Sequence, residues 1–302
     1  MTEPDYPRVS VIVPTYGRPR SVRLCIEALS KSDYPAKSLE IIVVDDGSPE
    51  PVELHDVPFS GTLRLLRRQE NRGPAAARNF GAEEASGDIL AFTDDDCRPH
   101  RGWVRALAAE VEHAPDSLAG GVTVNGLAHN VFSAASQDLI DFLYGAFAGS
   151  RQLRPFFTSN NFAVERSRFR AVGGFNESFR FSAGEDRAFS ERWAAHVGRL
   201  RLVETARVDH YHDLSLGSFL RQHFRYGRGA AHLAWLRRLE GEPTLRPEPL
   251  VFYVRMLRHP VRGRPFGMGV RLAGLIALAQ VSGVLGMTVE NVRPGNERTP
   301  RT

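Results

Sequence analysis

The sequence Gly-Asp-Ile-Leu-Ala-Phe-Thr-Asp-Asp-Asp occupies residues 87–96 and joins a short apolar run to three adjacent carboxylates. The apolar run is typical of a buried strand. Three carboxylates at a strand end repel one another unless a positive charge offsets them. A divalent cation does so, since Mg²⁺ sites commonly combine one or two carboxylates with substrate phosphates. A solvent-exposed acidic turn is the alternative, and the stretch alone leaves both interpretations open.

The neighbouring segments alternate between strand-like and helix-like patterns. Continuous apolar runs predict strands at 9–13, 40–44, 62–66 and 88–92, and another at 118–124. Apolar residues at helical spacing predict helices at 19–30 and 73–85. This alternation is typical of a mostly parallel α/β sheet flanked by helices. After residue 215 the pattern is helical, with segments at 215–239, 249–257 and 269–287.

Polar side chains follow three of these predicted strands: Thr15-Tyr16, Asp45-Asp46 and Asp94-Asp95-Asp96. Ligands of parallel α/β sheets bind outside the carboxyl ends of the strands. The ring of Tyr16 can stack on a base, and the carboxylate of Asp46 can accept from a base or a ribose hydroxyl. A simple turn also explains Asp46-Gly47. Together, the three strand ends predict a nucleotide–metal site.

Two later segments add candidate groups. Glu185-Asp186 precedes a predicted helix at 187–196, and a helix N-terminus favours an ionised carboxylate, as a general base requires. N-capping by Asp186 is the alternative. His210 and His212 alternate along the chain, which suits either a metal ligand or a pair of surface histidines. Residues 222–229 supply Arg225, Arg228 and two glycines, a composition suited to binding a diphosphate.

Composition limits the class of protein. The 302 residues carry a formal net charge of +4, but residues 199–271 contain 14 arginines and six acidic residues. This basic part suits phosphate groups, an anionic membrane surface or a solvated helical face. Two cysteines support neither a disulfide framework nor a zinc site. Residues 1–8 are polar with two prolines and do not resemble a signal peptide, so we expect a cytoplasmic protein.

Residues 272–289 are 18 residues without a charge, at the lower edge of membrane-spanning length. A core or interfacial helix is favoured over a span because polar residues and three glycines interrupt the stretch. Five arginines (255, 258, 262, 264 and 271) precede or open it, which predicts peripheral contact with the inner face of the cell membrane. The competing interpretation packs this helix against the rest of the protein or against a second subunit in a homodimer.

Taken in order, these motifs resemble the family 2 glycosyltransferases of the GT-A fold. The resemblance runs from about residue 9 to 229 and rests on four segments. They are Val-Ser-Val-Ile-Val-Pro-Thr-Tyr at 9–16, Ile-Val-Val-Asp-Asp-Gly-Ser at 42–48, the stretch 87–96, and Gly-Gly-Phe-Asn-Glu at 173–177 with Gly-Glu-Asp at 184–186. Any one of them is a weak signal, whereas their order is specific.

The resemblance implies a role for each candidate residue. Nucleoside contacts would come from Thr15, Tyr16, Asp46 and Arg78, and a donor-sugar contact from Asn161. Asp94 and Asp96 would form the Asp-x-Asp pair, with Asp96 the more direct metal ligand. Asp186 would be the catalytic base assisted by Glu185. His210 would contact the metal or the diphosphate, with His212 as a further candidate. Arg225 and Arg228 would contact the diphosphate.

The implied reaction is an inverting transfer from a nucleotide-diphosphate sugar, with Mn²⁺ or Mg²⁺ as cofactor and a UDP-sugar as the expected donor. The acceptor would be a glycan, a lipid-linked molecule or a small molecule in cell-surface glycan or glycoconjugate synthesis, and no nucleic-acid partner is expected. Asp95 adds a third acid that leaves the ligand assignment open. A Gln-x-x-Arg-Tyr segment at 222–226 replaces the family's Gln-x-x-Arg-Trp, which disfavours a processive polysaccharide synthase.

We expect a catalytic domain at 1–240, with a nucleotide-sugar-binding half at 1–125 and an acceptor half at 126–240. A helical extension at 241–292 and a disordered tail at 293–302 would follow. A nucleotidyltransferase is the first alternative, but residues 15–19 are too short and too poor in glycine for its phosphate loop. A dinucleotide oxidoreductase lacks its Gly-x-Gly-x-x-Gly segment. A non-catalytic sugar-nucleotide-binding protein of the same fold also remains open.

Overall fold

A computed structural model describes residues 6–148, 155–179, 183–243 and 248–293. Its contacts divide the chain into two compact units. The first comprises residues 1–124, 156–180 and 186–211, and the second comprises 125–155, 181–185 and 212–302. Residues 131–146 and 214–220 share a core with the C-terminal helices in the second unit, and the catalytic-domain boundary expected at residue 240 stays a prediction. The expected disordered tail falls, except for residue 293, outside the described residues.

The first unit is built on one eight-stranded sheet with the order β3-β2-β1-β4-β7-β6-β8-β5. Its strands are β1 Val9–Thr15, β2 Leu39–Asp45, β3 Thr62–Arg67, β4 Ile89–Thr93, β5 Cys97–Pro99, β6 Leu118–Asn125, β7 Asn161–Glu165 and β8 Leu200–His210. Strands β1 to β4 pair in parallel, whereas β7 runs antiparallel to both β4 and β6, and β5 runs antiparallel to β8.

The parallel strands explain the continuous apolar runs of the sequence. Every residue of β1, β2 and β4 is buried, as expected for parallel strands covered on both faces. The edge strand β3 is only partly covered and carries exposed positions. Pro14 lies within β1 although proline disfavours a central strand. It is tolerated because β1 is paired with β4 only as far as Ile12, two residues earlier.

Nine α-helices accompany the strands within the described residues. They are α1 Pro19–Leu29, α2 Pro74–Glu84, α3 Trp103–His113, α4 Val131–Ala148, α5 Arg166–Ala171, α6 Glu185–His196, α7 Leu216–Leu239, α8 Leu250–Arg258 and α9 Phe266–Asn291. Helices α1 and α2 both begin with proline, which suits the first helical turn. Gly81 lets α2 approach the sheet, because a Cβ there would lie 2.8 Å from Ile12.

The second unit consists of α4, α7, α8 and α9. Its core contains Phe142, Phe219, Met256 and Ile276, all buried. A reciprocal pair of hydrogen bonds between Ser215 and Ser218 caps the N-terminus of α7. The backbones of α7 and α9 approach each other closely, because glycines lie where the two helices meet.

The predicted α/β fold class is confirmed, and the sheet is mixed rather than wholly parallel. The parallel strands, α1, α2, α6 and the C-terminal helices lie close to their predicted positions. Strands β5, β7 and β8 and helices α3 and α5 were not predicted. Strand β5 spans only three residues, and β8 alternates charged and apolar residues in a pattern that suits a half-exposed position.

Candidate active site

The three consecutive aspartates after β4 make different contacts. Asp94 Oδ1 accepts a hydrogen bond from the Arg78 guanidinium at 2.6 Å. Asp95 is fully buried, and its Oδ2 accepts from the Thr15 hydroxyl at 2.7 Å. The parallel register explains this contact, because Ile12 lies opposite Phe92. Three positions later, Thr15 ends β1 and Asp95 lies just beyond the end of β4. The backbone geometry therefore gives different partners to aspartates that are adjacent and identical in the sequence.

Asp96 is paired with the imidazole of His210. Its Oδ1 lies 3.3 Å from His210 Nε2, and both side chains are largely buried. The antiparallel pairing of β5 with β8 brings them together, since Cys97 lies opposite His210 in the register. The backbone N–H of Tyr211 donates to the Asp96 carbonyl at 2.8 Å and extends this pairing by one residue.

The Asp96–His210 pair fits a divalent cation. Candidate ligand atoms of Asp96, Cys97 and His210 all lie within 4.8 Å of one another. Burial raises the pKa of the Cys97 thiol well above its ordinary value, and the carboxylates of Asp96 and Asp94 raise it further. A neutral thiol is a poor ligand, whereas carboxylate oxygens suit Mn²⁺ and Mg²⁺ and imidazole is a common metal ligand. The donor set therefore agrees with the metal that the resemblance implies.

Arg18 is a component of this site that the sequence analysis did not identify. Its guanidinium lies 2.8 Å from Asp96 Oδ2 through Nη1 and 2.8 Å from Asp95 Oδ1 through Nη2. It follows Gly17, whose φ of 64° turns the chain between β1 and α1. The side chain is half exposed, so Arg18 bridges the two carboxylates from the solvent side. Its position before the helix-starting Pro19 gave no signal of this contact.

Burial and charge shift the pKa of two groups in the cluster. Burial raises the pKa of Asp95 to about 7, although Arg18 and the Thr15 hydroxyl act in the opposite direction. Burial alone would lower the pKa of His210, but the neighbouring carboxylates of Asp96 and Asp94 outweigh it and the net shift is upward. The imidazole of His210 is thus held beside the Asp96 carboxylate, which Arg18 also contacts.

Arg78 is fixed in place from the other side by the Gly-Gly-Phe segment. Its guanidinium lies over the Phe175 ring at 5.6 Å while it contacts Asp94. Asn79 holds Phe175, donating to its carbonyl at 2.9 Å and accepting from its N–H at 2.8 Å. A cation over an aromatic face is favourable, and the amide clamp orients the ring. The predicted nucleotide residue Arg78 is therefore tied directly to the acidic motif.

Asp186 lies in the first turn of α6, which begins two residues earlier than the helix predicted at 187–196. Its Oδ1 accepts from the backbone N–H of Arg187 at 2.7 Å. Burial raises its pKa above the ordinary value, while Arg78 lowers it and Asp94 raises it. The charges of Arg78 and Asp94, which contact each other in the acidic site, thus also act on the Asp186 carboxylate. A raised pKa makes the ionised form a stronger base, which suits proton abstraction. The adjacent Glu185 is buried.

The predicted nucleoside residues differ in accessibility. The side chain of Tyr16 is 47% exposed and presents its ring to solvent. Asp46 is buried, and its carboxylate accepts from the backbone N–H groups of Arg72 and Gly73, the latter at 2.8 Å. Burial raises the pKa of Asp46, and these donors act against it. The described contacts of Asp46 therefore anchor the loop before α2.

Asn161 lies in the interior. It is 1% exposed, its Oδ1 accepts from the Trp103 indole at 2.7 Å, and its Nδ2 donates to Thr123 at 3.3 Å. Gly121 makes room for the amide, because a Cβ there would lie 2.4 Å from Oδ1. These contacts favour a packing role over the predicted donor-sugar contact. Trp103 was not singled out in the sequence.

The remaining predicted residues belong to the second unit. Arg225 is exposed on α7. Arg228 Nε lies 2.8 Å from Glu290 Oε2, so this guanidinium forms an ion pair with α9. The backbone carbonyl of His212 accepts from the Ser133 hydroxyl. Diphosphate binding by these side chains stays a prediction.

Comparison with known proteins identifies relatives of this chain. A family model described as glycosyl transferase family 2 matches residues 10–185. A pre-mycofactocin glycosyltransferase of Mycobacterium tuberculosis is 30% identical over 246 residues, covering 76% of this chain and 48% of that protein. Glycosyltransferase AglE of Haloferax volcanii is 37% identical over 118 residues, covering 38% of this chain and 39% of that protein. The matches thus span about half or less of these relatives' length.

A solved structure shares the fold. Mannosyltransferase PcManGT from Pyrobaculum calidifontis, in complex with GDP-Man and Mn²⁺, superposes with a TM-score of 0.64 and 18% sequence identity. The alignment covers 96% of this chain and 88% of that protein. At this identity the likeness establishes the GT-A architecture.

Proposed function

The chain belongs to glycosyl transferase family 2, and from that membership we propose that it transfers a sugar from a nucleotide-diphosphate sugar to an acceptor hydroxyl with inversion. One observation carries the proposal: two contacts, Arg78 with Asp94 and His210 with Asp96, lie at the carboxyl ends of the strands. The charges of Arg78 and Asp94 also act on the pKa of Asp186. Electrostatic sites of this kind suit a leaving diphosphate, which carries negative charge as it departs.

In this reaction the Asp186 carboxylate accepts the proton of the acceptor hydroxyl. The acceptor oxygen forms a bond to the anomeric carbon from the face opposite the diphosphate. The bond from that carbon to the diphosphate oxygen breaks, and the diphosphate leaves with the electron pair. A divalent cation bound at Asp96 and His210, with Asp94 as a further predicted ligand, would supply Lewis-acid stabilisation of that leaving group. Glu185 would assist the base.

The donor would lie along the ends of β1, β2 and β4. Tyr16 offers an exposed ring for stacking on the base. Thr15, Asp46 and Arg78 shape this edge through the contacts described above, and Arg225 and Arg228 are proposed for the diphosphate. A UDP-sugar is the expected donor and Mn²⁺ or Mg²⁺ the expected metal. The related Pyrobaculum structure contains GDP-Man, so a GDP-sugar is tested beside it.

The acceptor is proposed to be a glycan, a lipid-linked molecule or a small molecule with a free hydroxyl. Such an enzyme would act in the cytoplasm or at the inner face of the cell membrane, in synthesis of cell-surface glycans or glycoconjugates. A homodimer remains an alternative assembly. Binding of the nucleotide-sugar donor does not depend on the acceptor, the location or the assembly, and it can be tested separately.

Donor binding is tested by calorimetry with UDP- and GDP-sugars, with and without Mn²⁺. We expect binding that requires the metal in the native protein and is lost in Asp96→Ala, because the carboxylate that faces His210 is removed. Arg23→Gln is the control, since Arg23 pairs with the exposed Asp56 away from the cluster. Donor binding that is unchanged in Asp96→Ala would remove Asp96 as a metal ligand.

Turnover is tested with the donor that binds. Asp186→Asn keeps the side-chain shape and removes the base, so we expect a loss of about 10²–10⁴ in turnover with donor affinity little changed. Product release is followed as nucleoside diphosphate, in the presence and absence of acceptors. A larger loss in Glu185→Gln would reassign the base to Glu185. Donor binding without turnover in the native protein, across an acceptor panel, would favour a non-catalytic protein of this fold.

A further inference from the structure

Helix α9 carries an exposed apolar face along its whole length. Large apolar side chains recur at helical spacing and are between 44% and 77% exposed: Phe266, Val270, Leu278, Val281, Leu285 and Val289. Helices of water-soluble domains normally turn polar residues outward. Contiguous apolar surface of this kind marks an interaction site.

The opposite face of α9 is already occupied. Leu272, Ile276 and Ala279 are buried and belong to the core of the second unit with Phe219 and Met256. The helix is therefore apolar on both faces, and packing within its own unit buries only one of these faces. The exposed face needs a partner outside the described contacts.

Charge identifies the partner. Residues 249–289 contain five arginines and no acidic residue. Arg255, Arg258, Arg262 and Arg271 are exposed, while Arg264 pairs with Asp138 at 2.8 Å. A second copy of the chain would bring the same uncompensated positive charges together. An anionic lipid surface offers both an apolar layer and negative charge, and so complements the whole segment.

The contacts of α9 with the neighbouring helix α7 argue against a position of α9 across the bilayer. Although α9 is long and apolar enough to span one, residues 282–290 lie against α7. Ser282 donates to the Leu220 carbonyl at 2.7 Å, and Glu290 pairs with Arg228 at 2.8 Å. Helix α7 also exposes Arg221 and Arg225. A span would carry these arginines and the ion pair into hydrocarbon, which is costly.

We propose that the exposed face of α9 binds the surface of an anionic bilayer, with the helix lying parallel to the membrane plane. Lipid phosphates are contacted by the exposed arginines Arg255, Arg258, Arg262 and Arg271. The apolar side chains enter the headgroup–acyl boundary, and the opposite face stays packed on its own unit. This binding does not depend on sugar transfer, and it would hold the protein where lipid-linked acceptors are found.

The test is flotation of the full chain with phosphatidylcholine vesicles, with and without phosphatidylglycerol. We expect flotation with the anionic vesicles at low salt, weakened at high salt because exposed charges are screened. Arg258→Gln with Arg262→Gln should weaken partitioning about 25-fold, since each arginine contributes about fivefold. Val281→Gln with Leu285→Gln should weaken it at least as strongly, and both side chains are exposed, so the core is retained.

Leu202→Gln is the matched control, because Leu202 is 53% exposed on β8 of the first unit and should not affect flotation. Far-UV circular dichroism verifies that each variant is folded. Absence of flotation with anionic vesicles at low salt would overturn the proposal. Flotation that resists high salt and needs detergent for release would indicate a span instead. A dimer in light scattering that the Val281→Gln, Leu285→Gln variant dissociates would assign the face to a second copy.

Discussion

At the scale of single residues, three adjacent aspartates acquire distinct roles from their neighbours. Asp95 turns inward to Thr15, Asp94 contacts Arg78, and Asp96 faces His210. Carboxylates this close together require cationic partners, and Arg18 is one of them because it bridges Asp95 and Asp96. A cation bound to Asp96 would compete with Arg18 for that carboxylate.

We therefore predict that Arg18→Gln tightens Mn²⁺ binding to the nucleotide-free protein by about fivefold, equivalent to roughly 1 kcal/mol, a modest figure because Arg18 is half exposed. The same change should lower the melting temperature measured without metal, since the carboxylates lose their counter-charge. Calorimetric titration of Mn²⁺ and thermal melts with chelator measure the two effects. Arg23→Gln, on the helix that Arg18 precedes, should change neither. Weaker Mn²⁺ binding by Arg18→Gln would show that Arg18 supports the metal site.

At the scale of elements, close packing depends on where glycines lie. Helices α7 and α9 meet at Gly227, where a Cβ would lie 1.8 Å from the Gly283 carbonyl oxygen. Gly286 of α9 likewise contacts the backbone of α7 at Phe224. By contrast, a Cβ on Gly274, on the exposed side of α9, would meet no atom of the described residues within 4 Å apart from its chain neighbours and the adjacent backbone of its own helix. Glycine is thus required at one kind of position and dispensable at the other.

Opposite effects are expected when the two kinds of glycine are replaced by alanine. Gly274→Ala should stabilise the fold by about 0.5–1 kcal/mol through helix propensity. Gly227→Ala should destabilise it by roughly 1–3 kcal/mol, because the backbone of α9 must move and the overpacking outweighs the propensity gain. Urea unfolding followed by circular dichroism measures both. Equal stabilisation by the two variants would mean that the α7–α9 contact is looser than the structure indicates.

At the scale of the whole molecule, each compact unit has its own hydrophobic core and its own buried titratable groups. In the second unit, His223 is 4% exposed and contacts the Phe219 ring at 4.4 Å between centroids. Burial, and secondarily His212, lowers its pKa from 6.5 to about 4. The imidazole is neutral in the folded protein at pH 5, while in the unfolded chain it is charged.

The unfolded state therefore binds more protons between pH 6.5 and 4, and the free energy of unfolding falls as the pH is lowered through this window. The shift from 6.5 to about 4 predicts a contribution of roughly 3 kcal/mol. His223→Phe removes it, so the variant should lose less stability than the native protein between pH 7 and 4. Urea unfolding across this range tests the prediction. His129→Gln, at an exposed position, should keep the native pH dependence, and an equally steep loss in His223→Phe would contradict the assignment.

The sequence alone determined the parallel half of the sheet, its flanking helices and the edge at which the site forms. Parallel strands buried on both faces require long apolar runs, and polar groups at their ends are visible as Thr15, Asp46 and Asp94 to Asp96. Asp186 was predicted beside a helix start, because the N-termini of helices have a sequence signature of their own. The motifs in their order indicated the family, and the family match bears this out.

Only the tertiary structure decided which partner each of these groups meets. His210 reaches Asp96 through the antiparallel pairing of β5 with β8, two strands without a strong apolar pattern. Arg18 bridges Asp95 and Asp96 across 77 and 78 positions, and Asn161 turns inward to Trp103 across 58. Such contacts depend on register and side-chain direction between distant segments. Local composition does not determine the register or the side-chain direction, since a one-residue change of register turns a side chain to the opposite face of a sheet.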